Sequence, residues 1–309
     1  MNERILHIKR EICKAIIGKD DAVEKVLTAI IAGGHILLED IPGVGKTTLA
    51  LAFSKTMGLE FKRMQFTPDV VPSDITGFTI YNEEKRAFEY KEGAVICNFF
   101  LADEINRTSS KTQSSLLEVM QEGKVTVDGE EHFVPQPFIV MATQNPLGTA
   151  GTQMLPEAQL DRFMIRLSMG YPDLDAQIKL MKDRSEKEPL NHIQTIADGG
   201  MLVEMKNEAK SIFMDDKIYR YIATLSESTR DNEFIKLGIS PRGALAMCSM
   251  AKAAAFVKGR DYVVPEDVLE NINCTWGHRI ILNSKAYSEK LTEDLILSEI
   301  TANNKALKI

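Results

Sequence analysis

Apolar residues recur at helical spacing at the start of the chain and then give way to short apolar runs. Ile5, Ile8, Ile12 and Ile16 repeat every three or four residues, which predicts a helix that Gly18 ends. A second helix with the same pattern follows. Strand-length apolar runs then occupy residues 35–38, 61–65, 97–102, 138–142 and 164–168. Because helical or loop segments separate most of these runs, the alternation predicts a largely parallel sheet with helices on both faces.

Two segments interrupt this alternation and predict β-hairpins. Residues 78–90 carry a polar turn between β-prone flanks, and residues 124–134 place Asp128-Gly129 between two β-prone runs. After residue 171 the strand pattern stops, and a helix is predicted from Ser240-Pro241 to about Val257. We therefore expect an α/β domain over residues 1–171 and a smaller all-α domain over residues 172–309.

Composition narrows the classes of protein. Of 309 residues, 44% are hydrophobic and 26% charged, which is typical of globular proteins. The net charge of −7 gives no general affinity for nucleic-acid phosphates. The four cysteines form no C-x-x-C pair, which suits a reducing compartment. No apolar run reaches the roughly 18 residues of a membrane span, and the N-terminus lacks the pattern of a signal peptide. We expect a cytoplasmic protein.

A phosphate-binding loop is predicted between the first strand and the helix after it. Residues 40–47 match the pattern G-x-x-x-x-G-K-[ST], except that Asp40 replaces the first glycine. Glycines let backbone N–H groups turn toward a phosphate, and the helix start adds partial positive charge. Lys46 would neutralise the β- and γ-phosphates, and Thr47 would offer its hydroxyl to Mg²⁺. The alternative is a Gly-rich turn before a surface helix. The predicted nucleotide-binding residues are Pro42, Gly43, Val44, Gly45, Lys46, Thr47 and Thr48.

Acidic and amide side chains follow two further apolar strands. Asp103 and Glu104 end the strand near residue 100, at the sheet edge where open α/β folds bind ligands. Asp103 would hold Mg²⁺ through water, and Glu104 would orient and deprotonate the attacking water. Without the loop upstream, a solvated acidic turn would explain this pair equally well. Asn145, after the strand from residue 138, would lie between the γ-phosphate and the water, whereas Gln144 is the amide that would face a packed loop.

These motifs, in this order, resemble the AAA+ ATPases, and specifically the MoxR family. The resemblance covers almost the whole chain, and the stretches 66–77 and 155–163 are its most specific parts. The matching segments are 37–48, Phe66-Thr67-Pro68-Asp69, Pro72-Ser73-Asp74-Ile75-Thr76-Gly77, 103–107, 143–146, 155–163 and Ser240-Pro241-Arg242.

The resemblance implies roles that spacing alone does not. Asn145 corresponds to the sensor-1 position, Arg162 to the arginine finger that reaches the γ-phosphate of a neighbouring subunit, and Arg242 to sensor 2 on the helical lid. Ile17 and Gly18 fall where the family contacts adenine. Gln65 or a neighbour is a candidate for coupling the ligand state to Glu104. The two hairpins correspond to insertions in helix 2 and before sensor 1.

Chemistry supports the arginine roles, because a supplied Arg is worth about 10³–10⁵ in the rate of phosphoryl transfer. A planar guanidinium binds the equatorial oxygens bidentately. The alternatives are a surface salt bridge from Arg162 to Asp161 or Glu157, and a solvated Arg242 in the first turn of its helix.

The resemblance further implies Mg²⁺-dependent ATP hydrolysis by a ring, with a hexamer expected. Such a ring would act as a chaperone-like remodeller or maturation factor for partner proteins. A von Willebrand A domain partner would be a separate chain, because the nearest D-x-S-x-S candidate, residues 183–187, ends in lysine. The motor subunit of a metal chelatase is the alternative. A nucleic-acid motor is disfavoured by the acidic tip of the second hairpin, residues 128–131.

Overall fold

The computed structural model describes residues 1–145, 154–186 and 189–304. Two short 3₁₀-helices, Ile105–Arg107 and Pro189–His192, accompany the main elements. The α-helices are α1 (Glu3–Ile12), α2 (Asp20–Ile31), α3 (Lys46–Thr56), α4 (Pro72–Thr76), α5 (Ser110–Glu122), α6 (Glu157–Leu160), α7 (Leu174–Glu186), α8 (Gly199–Ser211), α9 (Asp216–Arg230), α10 (Pro241–Val257), α11 (Pro265–Leu269), α12 (Ile272–Trp276), α13 (Ser284–Ser288) and α14 (Glu293–Asn303). The strands are β1 (Ile36–Glu39), β2 (Phe61–Gln65), β3 (Gly77–Asn82), β4 (Ala87–Glu92), β5 (Phe99–Asp103), β6 (Lys124–Val127), β7 (Glu130–Phe133), β8 (Ile139–Gln144), β9 (Ile165–Leu167), β10 (Ile235–Leu237) and β11 (Ile281–Leu282).

Five strands form the central sheet in the order β2-β5-β8-β1-β9, and every pair is parallel. Successive residues of β1 enter different hydrophobic cores. Ile36 and Leu38 belong to the core that includes α1, α2 and α3, and Leu37 belongs to the core that includes α5. Both faces of the inner strands are therefore buried, which explains their continuous apolar runs. The predicted parallel sheet flanked by helices is confirmed.

The two predicted hairpins are present, as β3–β4 and β6–β7. Asp128 and Gly129 both take positive φ, 50° and 86°, as a two-residue turn of the primed type requires. The hairpins also touch each other: the ring of Tyr90 stacks on that of His132, with centroids 3.6 Å apart. They form one projection beside the sheet.

The C-terminal part of the chain, α7 to α14, is mainly helical and is called the lid. It packs against the N-terminal helices, chiefly where α8 and α10 contact α2. Ser240 caps α10, since its hydroxyl accepts a hydrogen bond from the Gly243 N–H at 3.0 Å, as its sequence predicts. One feature departs from the expected all-α lid, because β10 and β11 form a short antiparallel pair. The predicted boundary at residues 171 and 172 falls between β9 and α7 and stays a prediction. Among the described helices, none has the length and apolar character to cross a bilayer.

His35 lies just before β1 and is buried. Its Nδ1 accepts a hydrogen bond from the Val140 N–H at 3.0 Å, so its Nε2 carries the proton and donates to the Met120 carbonyl, also at 3.0 Å. Burial lowers the pKa of His35 to about 4. The neutral ring thus ties β1 to β8 and to the end of α5.

We expect His35 to make the fold sensitive to acid. The pKa of His35 is lower in the folded chain than in the unfolded chain. Its contribution to the free energy of unfolding is therefore complete above about pH 6.5 and is lost as the pH falls toward 4. The shift corresponds to about 3 kcal/mol. His35→Gln should flatten the decline in the free energy of unfolding between pH 6.5 and 4, measured by urea denaturation at several pH values. An unchanged slope in this variant would contradict a neutral buried imidazole.

Candidate functional site

The loop after β1 has the conformation that the phosphate-binding pattern predicts. Gly43 and Gly45 take φ values of 86° and 94°, which L-residues with a Cβ rarely adopt. A Cβ built on either glycine would meet nothing within 4 Å. The loop therefore requires glycine for its backbone conformation and leaves the space above it open. Gly45 is also the N-cap of α3, whose first N–H groups have no partner within the helix.

Lys46 folds back over this loop. Its Nζ donates to the carbonyl oxygens of Asp40, at 2.6 Å, and Ile41, at 3.0 Å. Partial burial lowers the pKa of Lys46, and the nearby carboxylates of Asp40, Asp103 and Glu104 oppose that shift. The ammonium is thus bound by two neutral carbonyl oxygens. A negatively charged phosphate would bind it more strongly than these carbonyls do.

The replacement of the first motif glycine by Asp40 has a structural explanation. The Asp40 side chain is buried, and its Oδ2 accepts hydrogen bonds from the backbone N–H groups of Met169, at 2.5 Å, and Gly170, at 2.9 Å. Ser168 Oγ adds a third at 3.2 Å. Asp40 therefore ties the phosphate loop to the segment that leaves β9 for the lid.

Asp103 and Glu104 lie at the carboxyl end of β5, and Thr143 on β8 joins them. Its hydroxyl donates to Asp103 Oδ1 at 2.7 Å and accepts the Glu104 N–H at 2.8 Å. Glu104 has a left-handed backbone, φ 56°, which is costly for a residue other than glycine and recurs at functional sites. The link through Thr143 is a contact within the candidate site that sequence reasoning did not single out.

Two arginines pair with the acidic residues. Arg63 donates to Asp103 Oδ2 from Nε, at 3.2 Å, and from Nη2, at 2.7 Å. Arg107 Nη1 lies 2.6 Å from Glu104 Oε2. Gln65 stands opposite Asp103 in the β2–β5 register, and its coupling to Glu104 stays a prediction.

The two amides at the end of β8 have different surroundings, and Gln144 contacts β1 rather than a packed loop. Gln144 is buried and its Nε2 donates to Glu39 Oε1 at 3.0 Å, so it serves packing at the sheet edge. Asn145 is half-buried, and its backbone carbonyl accepts a hydrogen bond from Asn106 Nδ2 at 3.3 Å. Pro146, which completes the sequence motif, lies outside the described residues.

A cavity of about 360 Å³ adjoins the phosphate loop, a size typical of small-ligand sites. Ile17, Gly43–Gly45 and Thr48 line one side of it, and Leu180 and Met181 of α7 line the other. Gly18 has φ 71°, and a Cβ there would come within 2.6 Å of the Ala176 Cβ. Ile17 therefore lines the cavity beside the phosphate loop, and its contact with adenine stays a prediction. Gly18 permits the close approach of α7.

Arg162 and Arg242 line a different cleft, of about 310 Å³, together with Gly33, Gly34 and Arg279. Arg162 Nη1 donates to the Leu117 carbonyl at 2.6 Å, and its buried Nε has no partner among the described residues. Arg242 is exposed, with Nη2 3.2 Å from Gln121 Oε1. Asp161 pairs with Arg279 rather than with Arg162, so the predicted alternative of a local salt bridge for Arg162 is not what forms.

The phosphate loop lies at the carboxyl ends of the sheet strands and the cleft lies at their amino ends. These two ends are called the loop's edge and the cleft's edge of the sheet. Residues 33 and 34 precede β1 and the loop follows it, so β1, a four-residue strand, separates the two by about 13 Å. All strands of the sheet point the same way, which puts Asp103 at the loop's edge and Met164, before β9, at the cleft's edge. Arg162 and Arg242 thus lie together, away from Lys46 of their own chain.

The residues at the loop fit a nucleotide with Mg²⁺. Within the described ranges, no group of three or more His, Cys, Asp or Glu side chains could hold a metal ion alone. Mg²⁺ bound with a nucleotide does not require one, because it takes one or two protein oxygens plus phosphate oxygens and water. Thr47, in the first turn of α3, and Asp103 carry oxygens of this kind, and their role as Mg²⁺ ligands stays a prediction.

Comparisons with known proteins agree with this arrangement. The model of the ATPase family associated with various cellular activities matches residues 35–165, and the AAA lid domain model matches residues 227–300. The chain is 43% identical to the Bacillus subtilis protein YeaC, covering 97% of this chain and 92% of that protein. It is 37% identical to the chaperone MoxR1 of Mycobacterium tuberculosis, covering 94% and 79%. A crystal structure of a candidate ATPase from Cytophaga hutchinsonii matches with a TM-score of 0.90 and 38% identity, over 99% of this chain and 98% of that one.

Asp40→Gly should destabilise the protein although it restores the glycine of the loop pattern. The variant loses a buried carboxylate that accepts three hydrogen bonds from residues 168–170, and hydrogen bonds to charged groups contribute about 1.5–3 kcal/mol each at most. We expect a free energy of unfolding lower by roughly 2–4 kcal/mol in urea titrations. Asp69→Gly, in the loop before α4, is the matched control. Equal stability of Asp40→Gly and the native chain would show that the carboxylate is not a structural tie.

Proposed function

Because the chain belongs to the MoxR family of AAA+ ATPases, we propose that it hydrolyses ATP with Mg²⁺ at sites that a second copy of the chain completes. The observation that carries this proposal is the separation of the phosphate loop from Arg162 and Arg242, which line one cleft at the other edge of the sheet. A chain that binds ATP at one edge and offers arginines at the other suits head-to-tail association, which closes into a ring. A hexamer is the ring size we propose.

Each group at the phosphate loop has a distinct task in this proposal. The N–H groups of Gly43–Gly45 and the Lys46 ammonium bind the β- and γ-phosphates, while Thr47 and Asp103 hold Mg²⁺. The bound ion would neutralise charge that develops on the phosphate oxygens. Glu104 accepts the proton of the attacking water, and Asn145 orients that water. Thr143 fixes Glu104 relative to Asp103.

The arginines act on the neighbour's nucleotide. Arg162 and Arg242 would bind γ-phosphate oxygens whose charge grows as the bond to the leaving group breaks. The buried Nε of Arg162 without a partner supports a guanidinium that gains contacts on assembly.

Exposed apolar surface beside each half of the site supports this association. Leu174, Ile178 and Met181 form a stripe on the outer face of α7, and Leu174 is 74% exposed. Met181 also lines the nucleotide cavity. Leu245 of α10 is 69% exposed and lines both the arginine cleft and an adjoining apolar groove. Docking of the arginines at a neighbour's nucleotide would bring α10 toward that neighbour's α7.

We propose a chaperone-like role on partner proteins, by analogy with the relative named chaperone MoxR1. The hairpin projection supports contact with protein, since Tyr81, Phe88 and Phe133 are exposed on it, and aromatic residues are enriched in protein interfaces. A separate von Willebrand A domain protein is the partner that the family resemblance suggests.

The alternatives find less support. Glu130 and Glu131 are exposed at the tip of β6–β7, which opposes a nucleic-acid backbone at that hairpin. A chelatase motor would use the same nucleotide chemistry, and a client assay rather than an ATPase assay separates it from the chaperone role.

Mixing two inactive variants tests the proposal. Arg162→Ala keeps its phosphate loop and lacks the finger, whereas Lys46→Ala keeps its arginines and does not bind ATP. Each alone should lose about 10³-fold or more in Mg²⁺-dependent turnover. The mixture should regain turnover, with an optimum at intermediate ratios. Glu104→Gln in place of Arg162→Ala should give no rescue. Lack of rescue at every ratio of the first pair would count against arginines acting between chains.

Leu245→Asp should weaken self-association without unfolding the chain. The substitution puts a charge into an apolar contact but replaces an exposed side chain, so we expect a shift to smaller species in light scattering with ATP present, and a thermal midpoint close to that of the native chain. The matched control is Leu295→Asp, since Leu295 is a leucine on α14 outside both surfaces that is 55% exposed, against 69% for Leu245. Equal effects of the two variants on particle size would exclude the α10 groove from the contact.

A further inference from the structure

Asp161 stands directly before Arg162 and binds a third arginine of the cleft. Arg279 is buried, and its Nε lies 2.7 Å from Asp161 Oδ1. The same guanidinium donates from Nη2 to the Phe163 carbonyl at 2.6 Å and from Nη1 to the Met164 carbonyl at 3.1 Å. Arg279 thus binds the side chain of Asp161, which precedes Arg162. It also binds the backbone of the two residues that follow Arg162.

The second oxygen of Asp161 reaches the helix that carries Arg242. Asp161 Oδ2 accepts a hydrogen bond from Ser240 Oγ at 3.0 Å, and Ser240 is the N-cap of α10. The Ser240 hydroxyl therefore has two contacts, since it also accepts the Gly243 N–H at 3.0 Å. Arg242 lies inside this capped turn.

Neighbouring contacts join the same two segments. The fully buried Trp276 donates from Nε1 to the Gly243 carbonyl at 2.9 Å, and His278 Nε2 lies 3.0 Å from the Phe163 carbonyl. Residues 276–279 of the lid therefore contact both the turn of Arg242 and the segment of Arg162.

We propose that Asp161 is a positioning residue that fixes Arg162 and Arg242 relative to each other, so that the chain presents them to a neighbour as one preassembled pair. This inference rests on the proposed function. One carboxylate spans the two segments, with Arg279 on one oxygen and the cap of α10 on the other. Placement within about an ångström matters for such groups, because a 1 Å displacement can cost about 10²-fold in rate.

A positioning role predicts an asymmetry that a merely structural role does not. Damage to the pair should impair the chain that donates arginines and spare the chain that binds ATP. The reference mixture is Arg162→Ala, which accepts arginines, with Lys46→Ala, which donates them. A second substitution can then be placed on either chain.

Ser240→Asp is the main substitution. Aspartate keeps the N-cap, because its carboxylate accepts the Gly243 N–H as the hydroxyl does, but it repels Asp161 and cannot donate to it. On the Lys46→Ala chain we expect it to lower turnover of the mixture about 10²-fold. On the Arg162→Ala chain we expect a change within about twofold.

Ser240→Thr is the matched control, because threonine keeps both the cap and the donor. It should leave turnover within about twofold on either chain. Asp161→Asn approaches the same contact from the other side and should repeat the asymmetry of Ser240→Asp. Circular dichroism melts of each variant and the acceptor mixtures report whether the chains fold.

The outcomes separate the two proposals. Loss confined to the donor chain supports the positioning role. Full turnover with Ser240→Asp on the donor chain, or equal loss on both chains, overturns it while the reference mixture remains active. An inactive reference mixture instead overturns the assignment of the arginines to a neighbour's site.

Discussion

The direction of the central sheet is the constraint on which the rest of the molecule depends. All five strands are parallel, so every carboxyl end meets at one edge and every amino end at the other. The phosphate loop, Asp103 and Thr143 are gathered at the first edge by this fact alone. The segment of Arg162 enters β9 at the second edge. Within one chain, the strand direction therefore keeps these two groups about one strand length apart.

Local pattern predicted most of the fold, because the information needed lies within each element. The apolar run at residues 61–65 is β2, and Asp128-Gly129 forms the turn between β6 and β7, as its preference for positive φ predicts. The pair β10–β11 could not be predicted in this way. Each of its strands has two or three residues, and the partners lie far apart in the chain, so no periodicity marks them.

The site was predictable to the extent that its chemistry follows a pattern in the chain. The glycines of the loop, Lys46 and the Asp103-Glu104 pair follow or end their strands directly, so a local pattern is enough to mark them. Arg279 and Asp40 are different. Arg279 stands in a turn after α12 that no pattern marks, and only its distance from Asp161 reveals a partner 118 residues away. Asp40 did carry a signal, its departure from the loop pattern, but the meaning of that departure depends on backbone N–H groups at residues 169 and 170.

Strand β9 is short, and both of its ends are tied. Asp40 of the phosphate loop binds the residues just after it, and Arg279 of the lid binds the residues just before it. Three residues of strand span about 10 Å, and an extended strand has almost no slack along its length. A shift of the loop by the size of a phosphate group would therefore displace the segment before β9 by nearly the same distance. Within one chain, β9 is therefore a taut connection between the phosphate loop and the segment that carries Arg162.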